Sequence, residues 1–215
     1  MKSLLTKEMK LAASPLSYLF LAFAAMTLIP GYPILVGAFF VCLGIFQSFQ
    51  ACRESNDILY TVLLPMEKAN AVRAKYIFVC FIELTALALA AILTAVRMTL
   101  LRDAAPYASN PMMNANLVYL GYIALIYAEF NVLFLSGFFR TAYKFAKPFV
   151  SFIIVSMLTV GVCEALHHFP GLTFLNGCER LPAQTAILLC CLAVYALATA
   201  LSCRRAICRF EIIDL

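Results

Sequence analysis

Charge is what this sequence has least of. Asp, Glu, Lys and Arg together make up 13% of its 215 residues, against 64% hydrophobic residues and a mean hydropathy of +0.94. Soluble domains carry roughly a quarter charged residues, so a soluble globular fold is excluded. Also missing are a glycine-rich phosphate loop ending in Lys-Ser or Lys-Thr, a Gly-x-Ser-x-Gly turn and a paired-cysteine zinc motif. The chain is therefore not expected to bind and hydrolyse a nucleotide by itself. No nucleophile and base stand together, so no catalytic residue is assigned and no cofactor or metal is expected. Glu164, His167 and His168 approximate metal-ligand spacing on one helical turn, but Pro170 ends that turn and no second ligand cluster accompanies them. No cleavable signal peptide, internal repeat or low-complexity tract is evident.

The nine cysteines form no framework. Cys42, Cys80, Cys190 and Cys191 lie in apolar runs, where a thiol behaves as a small hydrophobe, and Cys52, Cys203 and Cys208 belong to the side expected to be reducing. Only Cys163 and Cys178 could meet on the opposite side.

What the chain does have is a series of apolar runs. A helix needs about 20 residues to cross a hydrocarbon core of roughly 30 Å, and the pattern predicts six spans, at about 14–29, 34–50, 76–98, 117–138, 148–166 and 184–202. The fold class is thus all-α, a polytopic membrane protein forming a single transmembrane domain over 1–215. Pro30-Gly31-Tyr32-Pro33 separates the first two runs, which form either a tight helical hairpin or one broken re-entrant element. With six spans the termini share one side, and 13 of the 16 Lys and Arg residues fall there; only Arg97, Arg102 and Arg180 fall opposite. The positive-inside rule then places both termini in the cytoplasm of a multi-pass cell-membrane protein. Topology and anionic lipid account for the net charge of +5, and no nucleic-acid partner is expected.

Residues 1–13 read as an amphipathic interfacial helix, with Leu4, Leu5, Met9, Leu11 and Ala12 on one half and Lys2, Lys7 and Lys10 on the other. Glu8 breaks the apolar half, which suits a side chain that faces protein in place of lipid. The alternative is a frayed basic tail. Residues 203–215 read as a cytoplasmic tail continuing the last span.

Two groups of polar residues stand out. Residues 52–76 hold seven of the 27 charged side chains: Arg53, Glu54, Asp57, Glu67, Lys68, Arg73 and Lys75. Ser55, Asn56 and Asp57 are competent N-caps for a short helix to about Leu63, with Ile58, Leu59, Val62 and Leu63 grouped on one face, and Pro65 biases Leu64 out of helix. A second helix then runs from about Glu67 into the third span. The competing reading is a juxtamembrane loop whose charges are simply solvated. Within the spans, Glu83 and Glu129 lie at similar depth, either as a proton or cation relay or as groups bonded between helices, and Arg97 and Glu164 match in depth as a possible ion pair.

The run Asp57-x-x-Tyr60-x-x-Leu63-Leu64-Pro65, followed by Lys68-x-x-x-x-Arg73-x-Lys75-Tyr76, resembles the cytoplasmic loop between the second and third spans of ABC-2 type transporter permeases. The resemblance implies the membrane-spanning subunit of an ABC exporter. Such a subunit dimerises with itself or a homologous permease and docks a separate nucleotide-binding ATPase subunit, which binds the ATP and Mg. It implies that residues 51–75 are a coupling loop, with Asp57, Tyr60, Leu63, Leu64 and Pro65 in the ATPase groove and Arg53 and Glu54 flanking. A small ion-coupled secondary transporter using Glu83 and Glu129 is the alternative.

Overall fold

The computed structural model describes residues 2–63, 67–102, 104–108, 110–141, 144–177 and 180–213, and among these there is no strand. Helix α1 (Lys2–Lys7) widens into a π-helix over Glu8–Ala12. The chain then turns by 88° into α2 (Pro15–Leu19), which tightens into a 3-10 helix over Phe20–Leu28. The turn has a local cause. Pro15 holds Ser14 in extended backbone, and the Ser14 side chain caps the new helix by accepting from Leu16 N.

The first expected span is therefore not one continuous α-helix. Five α-residues at 1.5 Å and nine 3-10 residues at 2.0 Å reach about 25 Å. This segment packs antiparallel on α3 (Val36–Glu54), as the hairpin reading expected: Ser17 Oγ donates to Gly44 O (2.6 Å), and the Phe23 and Phe40 rings stack at 4.6 Å. A Cβ at Gly44 would sit 2.5 Å from Phe20 Cβ, so only glycine lets the two segments approach so closely. Gly31, at φ +72°, makes the turn between them.

Next come α4 (Asp57–Leu63), α5 (Lys68–Thr99), the one-turn α6 (Ala105–Ala108), and α7 (Leu117–Glu129), which continues through a π-helix (Phe130–Leu135) into α8 (Ser136–Phe138). Helix α9 (Ala146–Leu166), a 3-10 turn (Thr173–Leu175) and α10 (Leu181–Glu211) complete the chain. Among the described residues, five helices are long and apolar enough to cross a membrane: α3, α5, α7 with its continuation to Phe138, α9 and α10. The number is six if Ser3–Ala12 and Pro15–Leu28 are taken as one broken span.

Helix α7 is the most enclosed of these, whereas α9 and α10 leave their outer faces open. Around the lower part of α7 the core is phenylalanine. Phe46 stacks on Phe149 at 3.7 Å, and Phe49 meets Phe134 and Phe138 edge-on. These rings tie α3 to α7, α8 and α9, and so fix the end of α3 from which α4 departs.

Candidate functional site

Beyond α3 the chain turns sharply before α4. Asn56 adopts φ 52°, a left-handed conformation that Asn tolerates better than most residues. Ser55 does not cap α4, because its hydroxyl bonds back to Ala51 O and Cys52 O and so closes α3. Helix α4 occupies the range expected from the sequence, but its faces divide differently. Ile58 (6% exposed) and Thr61 point inward, while Tyr60 (66%) and Leu63 (73%) point outward. The expected grouping of Leu63 with Ile58 is thus corrected. A polar contact sets the rotation: Thr61 accepts from Lys7 Nζ (2.7 Å) and donates to Asp57 O (2.7 Å).

The inward side of α4 closes on four charged residues from three helical segments. Lys7 pairs with Asp57 Oδ1 (2.5 Å) and Glu8 Oε1 (3.1 Å), and Lys75 pairs with Glu8 Oε2 (2.6 Å) and Asp57 Oδ2 (3.2 Å). Two cations against two carboxylates leave the cluster neutral, which is how charges at 2% (Glu8) and 5% (Lys75) exposure become tolerable. Glu8 shares the protein-facing stripe of the first helix with Leu4 and Ala12, one turn apart, so its break in the apolar pattern marks a contact with protein. Burial pushes the Asp57 carboxyl up, but Lys75 and Lys7 outweigh burial and hold it below the ordinary carboxylate value.

Glu8, Cys52 and Asp57 bring their ligand atoms within 4.8 Å of one another, a grouping that could hold a metal ion. The Lys75 ammonium already occupies it, donating also to Cys52 Sγ (3.2 Å). A built-in cation fills the site, so the cluster does not fit a metal.

On the exposed side, Arg53 and Glu54 flank the turn, and the Arg53 guanidinium lies 5.1 Å over the Phe145 ring. Leu64 and Pro65 lie outside the described residues. At the start of α5, Lys68 donates to Ile213 O (2.7 Å), fastening the C-terminal segment to the foot of that helix.

A family model described as ABC-2 family transporter protein matches residues 3–206. The chain belongs to that family. It is accordingly an ABC transporter permease, a multi-pass membrane component of transport that is not itself catalytic and whose family works with an ABC ATPase. No curated protein and no solved structure matches the chain.

Within the spans of this ABC-2 permease, Glu83 and Glu129 belong to separate networks. Glu83 is fully buried on α5 and accepts from Asn131 Nδ2 (2.9 Å) and Tyr195 Oη (2.8 Å), which joins α5 to the π-helix below α7 and to α10. Asn131 reaches Thr199 as well, and its carbonyl accepts from Ser202, which is itself bonded to Tyr76. Glu129 accepts from Thr159 on α9 instead. Among the described residues, no hydrogen bond joins the two carboxyls.

The structure does not bring Arg97 and Glu164 together. Arg97 donates to Thr27 O (2.8 Å) and Asn114 Oδ1 (2.9 Å) and lies 4.4 Å over the Tyr107 ring. Glu164 accepts from Met113 N (2.6 Å). The loop carrying Asn110, Asn114 and Asn116 gives each of them a separate partner, Asn114 for Arg97 and Met113 N for one oxygen of Glu164. A run of short amides offers many donors and acceptors, so an ion pair is not needed there. Of the two cysteines that the sequence could pair, Cys163 is buried and Cys178 lies outside the described residues.

The feature that sequence reasoning missed is the Glu8–Lys75 pair. Its signal was present in two parts, an acidic residue on an apolar face and a lysine at the mouth of a span. The partners are 67 positions apart, and only the fold joins them.

Proposed function

We propose that this permease is the membrane-spanning half of an ATP-driven exporter, acting as a dimer in the cell membrane with both termini and α4 cytoplasmic, and that α4 is its coupling helix. The observation that carries this reading is the two-sidedness of α4. Tyr60 and Leu63 stand exposed one turn apart on a helix shorter than any span, while its other face is clamped to α1 and α5 by four charges. An apolar pair rimmed by Arg53 and Glu54 suits a protein groove. Burying Leu63 there would contribute about 1.5–3 kcal/mol. The clamp makes the helix a lever in place of a tether. Leu64 and Pro65 complete the docking segment in this reading, and ATP and Mg belong to the partner subunit. Glu83 and Glu129 act as packing groups, each bonded across a helix interface.

The test is co-purification with the ATPase subunit. Leu63→Asp and Tyr60→Asp, both at exposed positions, should abolish it while leaving the thermal transition of the permease within about 1 kcal/mol of the parent. Retention of the ATPase by both variants would remove α4 as the docking element.

A further inference from the structure

The end of the bundle that carries α4 also holds an open cavity of about 740 Å³, lined by Arg53, Arg140, Thr141, Lys144, Phe145, Ala146, Lys147 and Ser151 among others. Four cations converge there from three segments: the end of α3, the connection after α8, and the first turn of α9. Among the described residues, no acidic side chain lines it. Among the described residues, none of the four cations is in an ion pair; those pairs all fall in the Lys7, Glu8, Asp57 and Lys75 cluster. The first turn of α9 has no side-chain cap, and the helix is 21 residues long, so its N-terminal dipole adds to the positive field.

A second observation says what kind of anion fits. Ser151 stands in the cavity wall, and on the same face of α9 above it follow Ile154, Val155, Leu158 and Val162, all exposed. From 151 to 162 the helix rises about 16 Å, roughly the hydrocarbon depth of one leaflet. A soluble anion has no use for that stripe, whereas a lipid acyl chain lies along it.

We propose that this cavity binds the phosphate of an anionic phospholipid headgroup, with an acyl chain on the Ile154, Leu158 and Val162 face of α9. Arg140, Lys144 and Lys147 supply the charge. Arg53, held over Phe145, links the headgroup to the turn that begins α4. The inference rests on the chain being a membrane protein and on this end lying at the headgroup level; it does not require that α4 dock an ATPase.

The test is native mass spectrometry of the full chain in detergent, titrated with phosphatidylglycerol or phosphatidylcholine. Phosphatidylglycerol should bind at least about tenfold more tightly, since each basic residue near an anionic headgroup adds several-fold. Arg140→Gln/Lys144→Gln/Lys147→Gln should erase that preference, and so should Ser151→Glu, which leaves every cation in place. Arg204→Gln/Arg205→Gln, which removes two cations outside the cavity, should not. A preference that survives both cavity variants overturns the proposal. Inorganic phosphate that displaces the lipid at equal concentration would assign the site to a free anion and overturn it too. Loss of ATPase co-purification with unchanged lipid binding would make the cavity a protein interface, with the same consequence.

Discussion

Removing Lys75 tests the clamp most directly. Its ammonium donates to Glu8 Oε2 at 2.6 Å and Asp57 Oδ2 at 3.2 Å from a position 5% exposed. In Lys75→Met the methionine fills the stem's volume, but the cluster retains one cation, Lys7, for two carboxylates. Breaking a buried pair by removing one partner costs about 3–5 kcal/mol, because the remaining charge is left uncompensated. At roughly 2–4 °C per kcal/mol for a chain of this size, that is a fall of about 6–20 °C in the apparent Tm. Glu8→Gln alone strands the cation less severely, since Lys75 keeps Asp57. The double variant Glu8→Gln/Lys75→Met removes one charge of each sign and leaves the Lys7–Asp57 pair at 2.5 Å intact, so it should recover much of the loss. A double-mutant cycle followed by thermal unfolding in detergent measures this, with an expected coupling of about 1–3 kcal/mol. Strictly additive single losses, or a Lys75→Met penalty under about 1 kcal/mol, would refute the clamp.

Acid should loosen the same cluster late. Asp57 is held below its ordinary value, so its contribution is complete above the unfolded carboxylate pKa near 3.8 and is lost as pH falls through the lower folded value; the Asp57 share of stability, read as the difference between the parent and Asp57→Asn, should be flat from about pH 8 to 5, and Lys7→Met should bring its acid loss to higher pH. Because Arg97 and Glu164 have separate partners, reversing both charges should not rescue either single variant, and their losses in expression or Tm should add within about 0.5 kcal/mol. Glu83→Leu takes the carboxylate acceptor from Tyr195 and leaves Asn131 with Thr199 alone, and should cost about 1–3 kcal/mol, whereas Glu83→Gln, which keeps a carbonyl oxygen, should cost less and preserve transport.

Composition and periodicity carried most of the architecture. Five apolar runs became long helices near the expected bounds because twenty apolar residues in a row have few alternatives to helix in lipid. The first run departed from this pattern, where Pro15 restarts the helix and Gly44 allows an approach that a 3-10 segment fills. Helix α4 was legible in extent, since the polar island bounds it, but not in rotation. A seven-residue helix has too few apolar positions to choose its inner face, and the choice fell to Thr61 and Lys7. Depth matching failed for Arg97 and Glu164 for a related reason. Equal depth is a necessary condition for an ion pair, yet it does not say which side of a helix faces which neighbour, and nearby amides and carbonyls were closer partners.

The same geometry explains how a push on α4 would spread. Lys75 lies two turns into α5, a helix of 32 residues and about 48 Å, so the clamp grips it near its foot. The next residue, Tyr76, bonds Ser202 on α10 at 2.8 Å. Some 12 Å above the clamp, Glu83 bonds Tyr195 on α10 and Asn131 below α7. A displacement entering at Lys75 therefore cannot move α5 alone; the polar bonds commit α10 and the lower part of α7 to move with it or to break. Lys7, by contrast, leads only to the first helix, which turns by 88° and contacts α3 through Ser14, Ser17 and Ser48. The load path through α5 is the stiffer one, because it is a continuous helix tied at successive levels, and a rigid element with discrete bonds at both ends is what transmits a rigid-body shift.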